Sequence, residues 1–352
     1  MEEKIRLTQM VKTAGCAAKL FPNLLNECLK GIEWNTNENV IVGFEGKDDA
    51  GVYKFDDNNF LIHTTDFFTP VVDDPYTFGQ IAATNSLSDI YAMGGKPISA
   101  LNIVAFPQTE NLEILKEILR GGHYKSSEAN CVILGGHSVD IPNILYGLAV
   151  TGTINPTNLK TNKNAKVGDV LILTKALGTG LLNNCIKYSK IDKQVYKNLI
   201  QSMTRLNCSA AEAMVSLKAN ACTDITGFGL AGHSYQMAVA SKMVLHILVN
   251  KIPLLDGAIE AVNQNMLTRG DKSNRDYTKN YTKCIGEVNT DFEHILYDPQ
   301  TSGGLLISIP EKNSITLLKR LKENGDEYSA IIGFVENIYE NESDLRIIFD
   351  YN

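Results

Sequence analysis

The sequence predicts a two-domain α/β protein, and three observations lead there. Its 352 residues are enough for two domains of roughly 100–200 residues each. Strand-like runs rich in valine, isoleucine and phenylalanine mix with helix-like runs, without a strict strand–helix–strand rhythm, so a purely parallel doubly wound sheet is not forced. Residues 155–164, Asn-Pro-Thr-Asn-Leu-Lys-Thr-Asn-Lys-Asn, are polar and nearly free of apolar side chains, which marks a linker. The expected domains are therefore 1–155 and 156–352.

Each element has a local reason. The alanines and glycine at 14–18 offer little to bury, so the segment 1–35 is expected to be mobile, with a short helix over 22–29. Strands are expected at 40–44, 51–55 and 59–65. A small-residue helix follows over 78–93, closed by Gly94-Gly95 and stopped by Pro97, the usual C-terminal punctuation. Strand 98–106, helix 110–130 and strands 131–134 and 145–154 complete the first half. The second half begins with a strand at 170–173 and ends with one at 346–349.

Composition excludes several classes. With 44% hydrophobic and 21% charged residues, the chain has material for real cores. A net charge of −7 argues against a duplex nucleic-acid binder, which normally carries a basic face. The N-terminus lacks the apolar run of a signal peptide, and no stretch approaches the roughly 20 apolar residues of a membrane span. Seven cysteines without a CxxC pair argue against a disulfide framework or structural zinc, so a reducing cytoplasm is expected.

Four aspartate-bearing segments could carry chemistry. Asp48 and Asp49 sit at a turn entering a strand, Asp66 at the end of a strand, Asp89 inside the 78–93 helix and Asp224 before Gly227. A turn aspartate is about as often a cap as a ligand. Asp89 is harder to dismiss, because aspartate is a poor helix-interior residue. Asn85 lies four residues before it and therefore on the same face. Several carboxylates converging on Mg²⁺ would justify the pattern.

No GxxxxGK[ST] is present, so a P-loop is excluded. Gly227-Phe228-Gly229-Leu230-Ala231-Gly232 matches GxGxxG, but an acidic residue ends the preceding segment, which is no apolar parallel strand. The glycines are expected instead to bring a helix N-terminus close to neighbouring backbone or a phosphate. Gly135-Gly136-His137-Ser138 and residues 298–304 are read as tight turns, and His137 equally as a structural histidine. Cys28, Cys131, Cys185, Cys208 and Cys222 are expected to be small buried hydrophobes. Cys16 differs: its neighbours offer no core, and Lys12 and Lys19 favour its thiolate.

Together these residues resemble selenophosphate synthetase, or selenide, water dikinase. The likeness runs through Gly15-Cys16 with Lys19, Asp48-Asp49-Ala50, Thr64-Thr65-Asp66-Phe67-Phe68, Asn85 with Ser88-Asp89-Ile90, Gly135-Gly136-His137-Ser138, Thr223-Asp224-Ile225-Thr226-Gly227 and residues 298–304. It implies two α/β (α+β) domains of the aminoimidazole-ribonucleotide-synthetase type, usually paired as a homodimer. It implies a phosphotransferase with paired acceptors, turning ATP, selenide and water into selenophosphate, AMP and orthophosphate.

Carried over, Cys16 handles selenium and Lys19 stabilises phosphate charge. Asp49, Asp89 and Asp224 look like Mg²⁺ ligands. Lys19, Gly46, Lys47, Asp48, Asp66 and Asp89 look like nucleotide contacts, and Gly136, His137 and Ser138 would reach the partner subunit's nucleotide. A selenium-delivery protein is a further possible partner. The family's frequent second cysteine is Ala18 here, a glycine is replaced by Thr13, and Gly270 to Arg275 follows the family pattern only loosely. The alternatives are another ATP-dependent enzyme of the superfamily, which would not need Cys16, and a selenium carrier without ATP turnover.

Overall fold

The computed structural model describes residues 6–11, 27–43 and 46–352. Cys16, Lys19 and most of the expected helix at 22–29 lie outside them. Among the described residues six strands build the first half: β1 (Val40–Val42), β2 (Gly51–Lys54), β3 (Phe60–Phe68), β4 (Lys96–Ala105), β5 (Val132–Val139) and β6 (Leu145–Ile154). They lie in the order β1-β2-β3-β6-β4-β5. Only β4 and β5 pair in parallel; the other neighbours are antiparallel.

Two helices, α1 (Pro75–Ala92) and α2 (Leu112–Glu128), cover one face of this sheet. The first starts three residues before the periodicity suggests. Pro75 is pre-shaped for the first helical position, and the Asp74 carboxylate accepts the Thr77 amide at 2.8 Å. It is buried around most of its circumference, which its alanine, serine and threonine content permits. The two helices touch through glycines. A Cβ on Gly79 would sit 1.9 Å from the Ile118 carbonyl oxygen, and one on Gly121 would sit 2.0 Å from that of Tyr76.

The second half holds β7 (Asp169–Leu173), β8 (Ala221–Asp224), β9 (Val244–Leu248), β10 (Thr282–Ile285), β11 (Leu305–Pro310), β12 (Ala330–Glu336) and β13 (Ile347–Asp350). Their order is β10-β13-β9-β12-β7-β11-β8. Its helices are α3 (Thr179–Lys187), α4 (Lys193–Thr204), α5 (Cys208–Ser216), α6 (Gly229–Ser241), α7 (Ala258–Asn263), α8 (Arg269–Thr278), α9 (Thr290–Tyr297) and α10 (Glu311–Glu323).

Three expectations need correction. Asp66 does not end its strand; β3 continues to Phe68, and Asp66 pairs with Leu148 inside the sheet. Gly135 to Ser138 form no turn. They lie within β5, where Gly135 and Gly136 take φ of 149° and 156°, and a Cβ on Gly136 would meet the Asn102 carbonyl oxygen at 2.3 Å. Glycine there serves close strand approach rather than a reversal of direction. Cys28 is exposed, because residues 27–37 are mostly exposed and offer it no core; Cys131, Cys185 and Cys222 are buried as expected, and Cys208 half-buried.

Candidate active site

The site forms where the two halves meet. Asp49 stands in the bend entering β2, Asp89 near the C-terminal end of α1, and Asp224 is the last residue of β8. One carboxylate oxygen from each lies within 4.8 Å of the others. Positions 49, 89 and 224 are brought together only by folding.

Threonine hydroxyls fix two of the carboxylates. The Thr64 hydroxyl on β3 donates to Asp89 Oδ2, and the Thr223 hydroxyl donates to Asp49 Oδ1 at 2.9 Å. Asp49 Oδ2 is buried and has no hydrogen-bond partner among the described residues. Burial, then the charges of Asp224 and Asp89, push the Asp49 carboxyl well above its ordinary range, against the opposing Thr223 hydrogen bond. Three hard oxygen donors, with the buried Asp49 Oδ2 left without a hydrogen bond among the described residues, suit a divalent cation such as Mg²⁺.

A second layer ties the halves together. Asn85, one turn before Asp89, donates from its side-chain Nδ2 to Asp66 Oδ2 at 2.6 Å, and its side-chain Oδ1 accepts the Ser302 amide at 2.9 Å. The expectation that Asn85 and Asp89 share a helix face is met: Asn85 reaches Asp66 and Asp89 reaches Thr64, both on β3. Asn207 donates to Ser88 Oγ and to the Gly303 carbonyl, each at 2.9 Å. Residues 298–304 thus clamp α1 from the second half.

The GxGxxG segment behaves as the sequence suggests. Its preceding strand β8 pairs antiparallel with β11, unlike a dinucleotide unit. Gly229 opens α6 with φ of 66°, and a Cβ there would lie 3.0 Å from the Tyr297 and Asp298 carbonyl oxygens.

Other site residues are distributed as follows. Asp48 neighbours Asp49, and a Cβ on Gly46 would lie 2.3 Å from Asp48 Oδ2, so that side chain would have to shift to admit one. Lys47 takes a left-handed φ of 49° and places its ammonium 5.9 Å from the Tyr277 ring centroid. Gly136, His137 and Ser138 lie elsewhere in the same sheet. The register runs Asp66–Leu148–Asn102–Gly136 across β3, β6, β4 and β5, so about 14 Å of sheet separates Asp66 from Gly136. Sequence reasoning missed the parts played by Thr64 and Thr223. A threonine hydroxyl carries no signal until its carboxylate partner is placed.

Comparison with known proteins gives the context. Residues 47–154 match the AIR synthase related protein N-terminal domain, and residues 166–341 its C-terminal domain. The chain is 46% identical over 335 residues to the selenide, water dikinase of Clostridium botulinum (strain Eklund 17B / Type B), covering 95% of this chain and 97% of that one. This chain belongs to the selenide, water dikinase family.

It is accordingly an enzyme. The selenide, water dikinase of Caldanaerobacter subterraneus subsp. tengcongensis is 44% identical over 346 residues, 98% of this chain and 100% of that one. Among solved structures, hydrogenase maturation protein HypE in complex with ATP superposes with a TM-score of 0.60 at 17% identity, covering 93% of this chain and 84% of that one. That likeness shows the shared two-domain fold expected from the sequence.

Proposed function

We propose that this dikinase-family enzyme converts ATP, selenide and water to selenophosphate, AMP and orthophosphate, with Asp49, Asp89 and Asp224 holding Mg²⁺. The observation that carries the reading is the convergence of three carboxylates within 4.8 Å from three distant positions. Like charges gathered in a partly dry site are costly without a cation. When bound, Mg²⁺ would offset the triphosphate charge and draw electron density from the bond being cleaved.

The chain's own residues supply the rest. Gly46, Lys47, Asp48, Asp66 and Asp89 border the place for the nucleotide, and the relatives' name together with the ATP held by HypE supports ATP as the substrate. Asp66 is held by Asn85, so the floor of the site is oriented before a ligand arrives. Lys19 stabilises phosphate charge, and Cys16 holds or delivers selenium, soft sulfur suiting soft selenium. Both are assigned from the sequence motif.

A homodimer fits the outer face of the first sheet. Phe67, Leu101, Val132 and Leu134 are exposed there, with Leu134 69% accessible, and β5 is an edge strand whose second side pairs with no strand among the described residues. An apolar sheet face with an open edge favours a second copy over water. Gly136, His137 and Ser138 on that edge strand would then face the partner's nucleotide.

Phosphorus NMR with ATP, Mg²⁺ and selenide under anaerobic conditions tests the reaction. A selenide-dependent phosphorus signal with AMP and orthophosphate, lost in Cys16→Ser, supports it. ADP as the final nucleotide, or turnover indifferent to selenide and Cys16, sinks it. Stoichiometric selenium binding without ATP turnover would point to a carrier.

A further inference from the structure

The loop that carries Asp49 is held mainly from the other half of the molecule, by a residue of the polar connector. Asn162 is 1% exposed, although the surrounding composition reads as a solvated linker. Its backbone amide donates to Asp48 Oδ1 at 2.7 Å, and its side-chain Nδ2 donates to the Lys47 carbonyl at 3.1 Å. Its own carbonyl accepts the Ser241 hydroxyl at 2.6 Å, and that hydroxyl accepts the Ala165 amide at 3.1 Å. The end of α6 therefore braces Asn162, and Asn162 braces residues 47 and 48.

The bond to Lys47 has a specific task. A lysine at φ 49° holds a backbone conformation that costs about 1–2 kcal/mol for a residue with a Cβ, so left alone the loop would relax. Fixing the Lys47 carbonyl fixes the direction in which the chain leaves toward Asp49, two residues on. The Thr223 hydroxyl holds only the far tip of that side chain.

We infer that Asn162 is a positioning residue for the cation site: through Lys47 and Asp48 it sets the place of the Asp49 carboxylate relative to Asp89 and Asp224. This rests on the reading of those three carboxylates as the cation ligands. Supporting groups of this kind typically change metal affinity about 10- to 100-fold when removed.

Asn162→Leu keeps the side-chain volume and the backbone donor to Asp48, and the hydrogen bond it removes is the one from Nδ2 to the Lys47 carbonyl; the Oδ1 lost with it is buried and has no partner among the described residues. Mn²⁺ titrated into wild type and variant and followed by electron paramagnetic resonance reads affinity without turnover. The expected result is about 10-fold weaker Mn²⁺ binding, with the cation-free melting temperature nearly unchanged. Should that variant fail to fold, Ser241→Ala loosens the brace and is expected to weaken binding in the same direction by a smaller factor. Equal affinity in a folded variant overturns the inference, and a lower melting temperature with unchanged affinity reduces Asn162 to a structural role. Wild type that binds no Mn²⁺ overturns the cation-site reading itself, and this inference with it.

Discussion

At the scale of single residues, the site gathers three carboxylates within 4.8 Å, a crowding of like charge that costs stability. Asp49→Asn keeps an oxygen to accept from Thr223 and removes one of three neighbouring negative charges. The cation-free protein is expected to melt a few degrees higher, while selenide-dependent turnover falls at least 100-fold, measured by differential scanning calorimetry and by AMP release. Gain of stability with loss of activity is the signature of a binding site built at a cost. A variant that loses both would mark Asp49 as structural.

Asp298 makes a residue-scale prediction with a sign. It is fully buried, and burial raises its carboxyl to about 7, opposed by donors from Leu181, Thr268 and Gln300. The folded state then binds a proton that the unfolded chain releases above its ordinary value of 3.8. This group's stabilising contribution is full below that ordinary value and is lost as pH rises through about 7. Urea unfolding of wild type and Asp298→Asn at pH 5 and pH 8 should show a pH dependence that the variant lacks. Identical dependence in both would exclude Asp298 as its source.

At the scale of elements, α1 is the member on which most depends. It presents Asn85, Ser88 and Asp89 to the site on one side and packs against α2 on the other through Gly79 and Gly121. With Cβ clearances of 1.9 and 2.0 Å to backbone oxygens, neither glycine can gain a methyl without parting the helices. Gly79→Ala is expected to cost about 1–3 kcal/mol in urea unfolding, with reduced turnover because Asp89 moves with the helix. A neutral effect would mean that the helices can separate freely. The same element shows how far pattern reading goes. Small residues and the Gly-Pro stop located the helix, whereas its first turn needed the Asp74 cap to be recognised.

At the scale of the whole molecule, the proposed dimer is the main consequence of the exposed face. Leu134→Asp places a charge on that face, at its open edge, without touching the inner core. Sedimentation velocity is expected to show a dimer for wild type and a monomer for the variant. Turnover should fall together with the dimer, since Gly136 to Ser138 would no longer reach a neighbour's nucleotide. A wild-type protein that is monomeric and active would remove the partner-site assignment. Among the described residues no helix is long and apolar enough to cross a membrane.

Some features were local enough for the sequence alone to determine. Two mixed α/β halves and the small-residue helix bearing Asn85 and Asp89 follow from periodicity, capping and turn chemistry, which act over a few residues. The ordered motifs also named Asp49, Asp89 and Asp224 as a set. Only the tertiary structure decided that their oxygens meet within 4.8 Å, that Gly135 and Gly136 belong to a strand, and that the polar connector is buried at Asn162. The physical reason is the same in each case. A hydrogen bond such as Asn162 to Lys47, or the approach of β5 to β4, joins positions far apart in sequence, and a side chain's spacing along the chain does not record which distant backbone group it will satisfy.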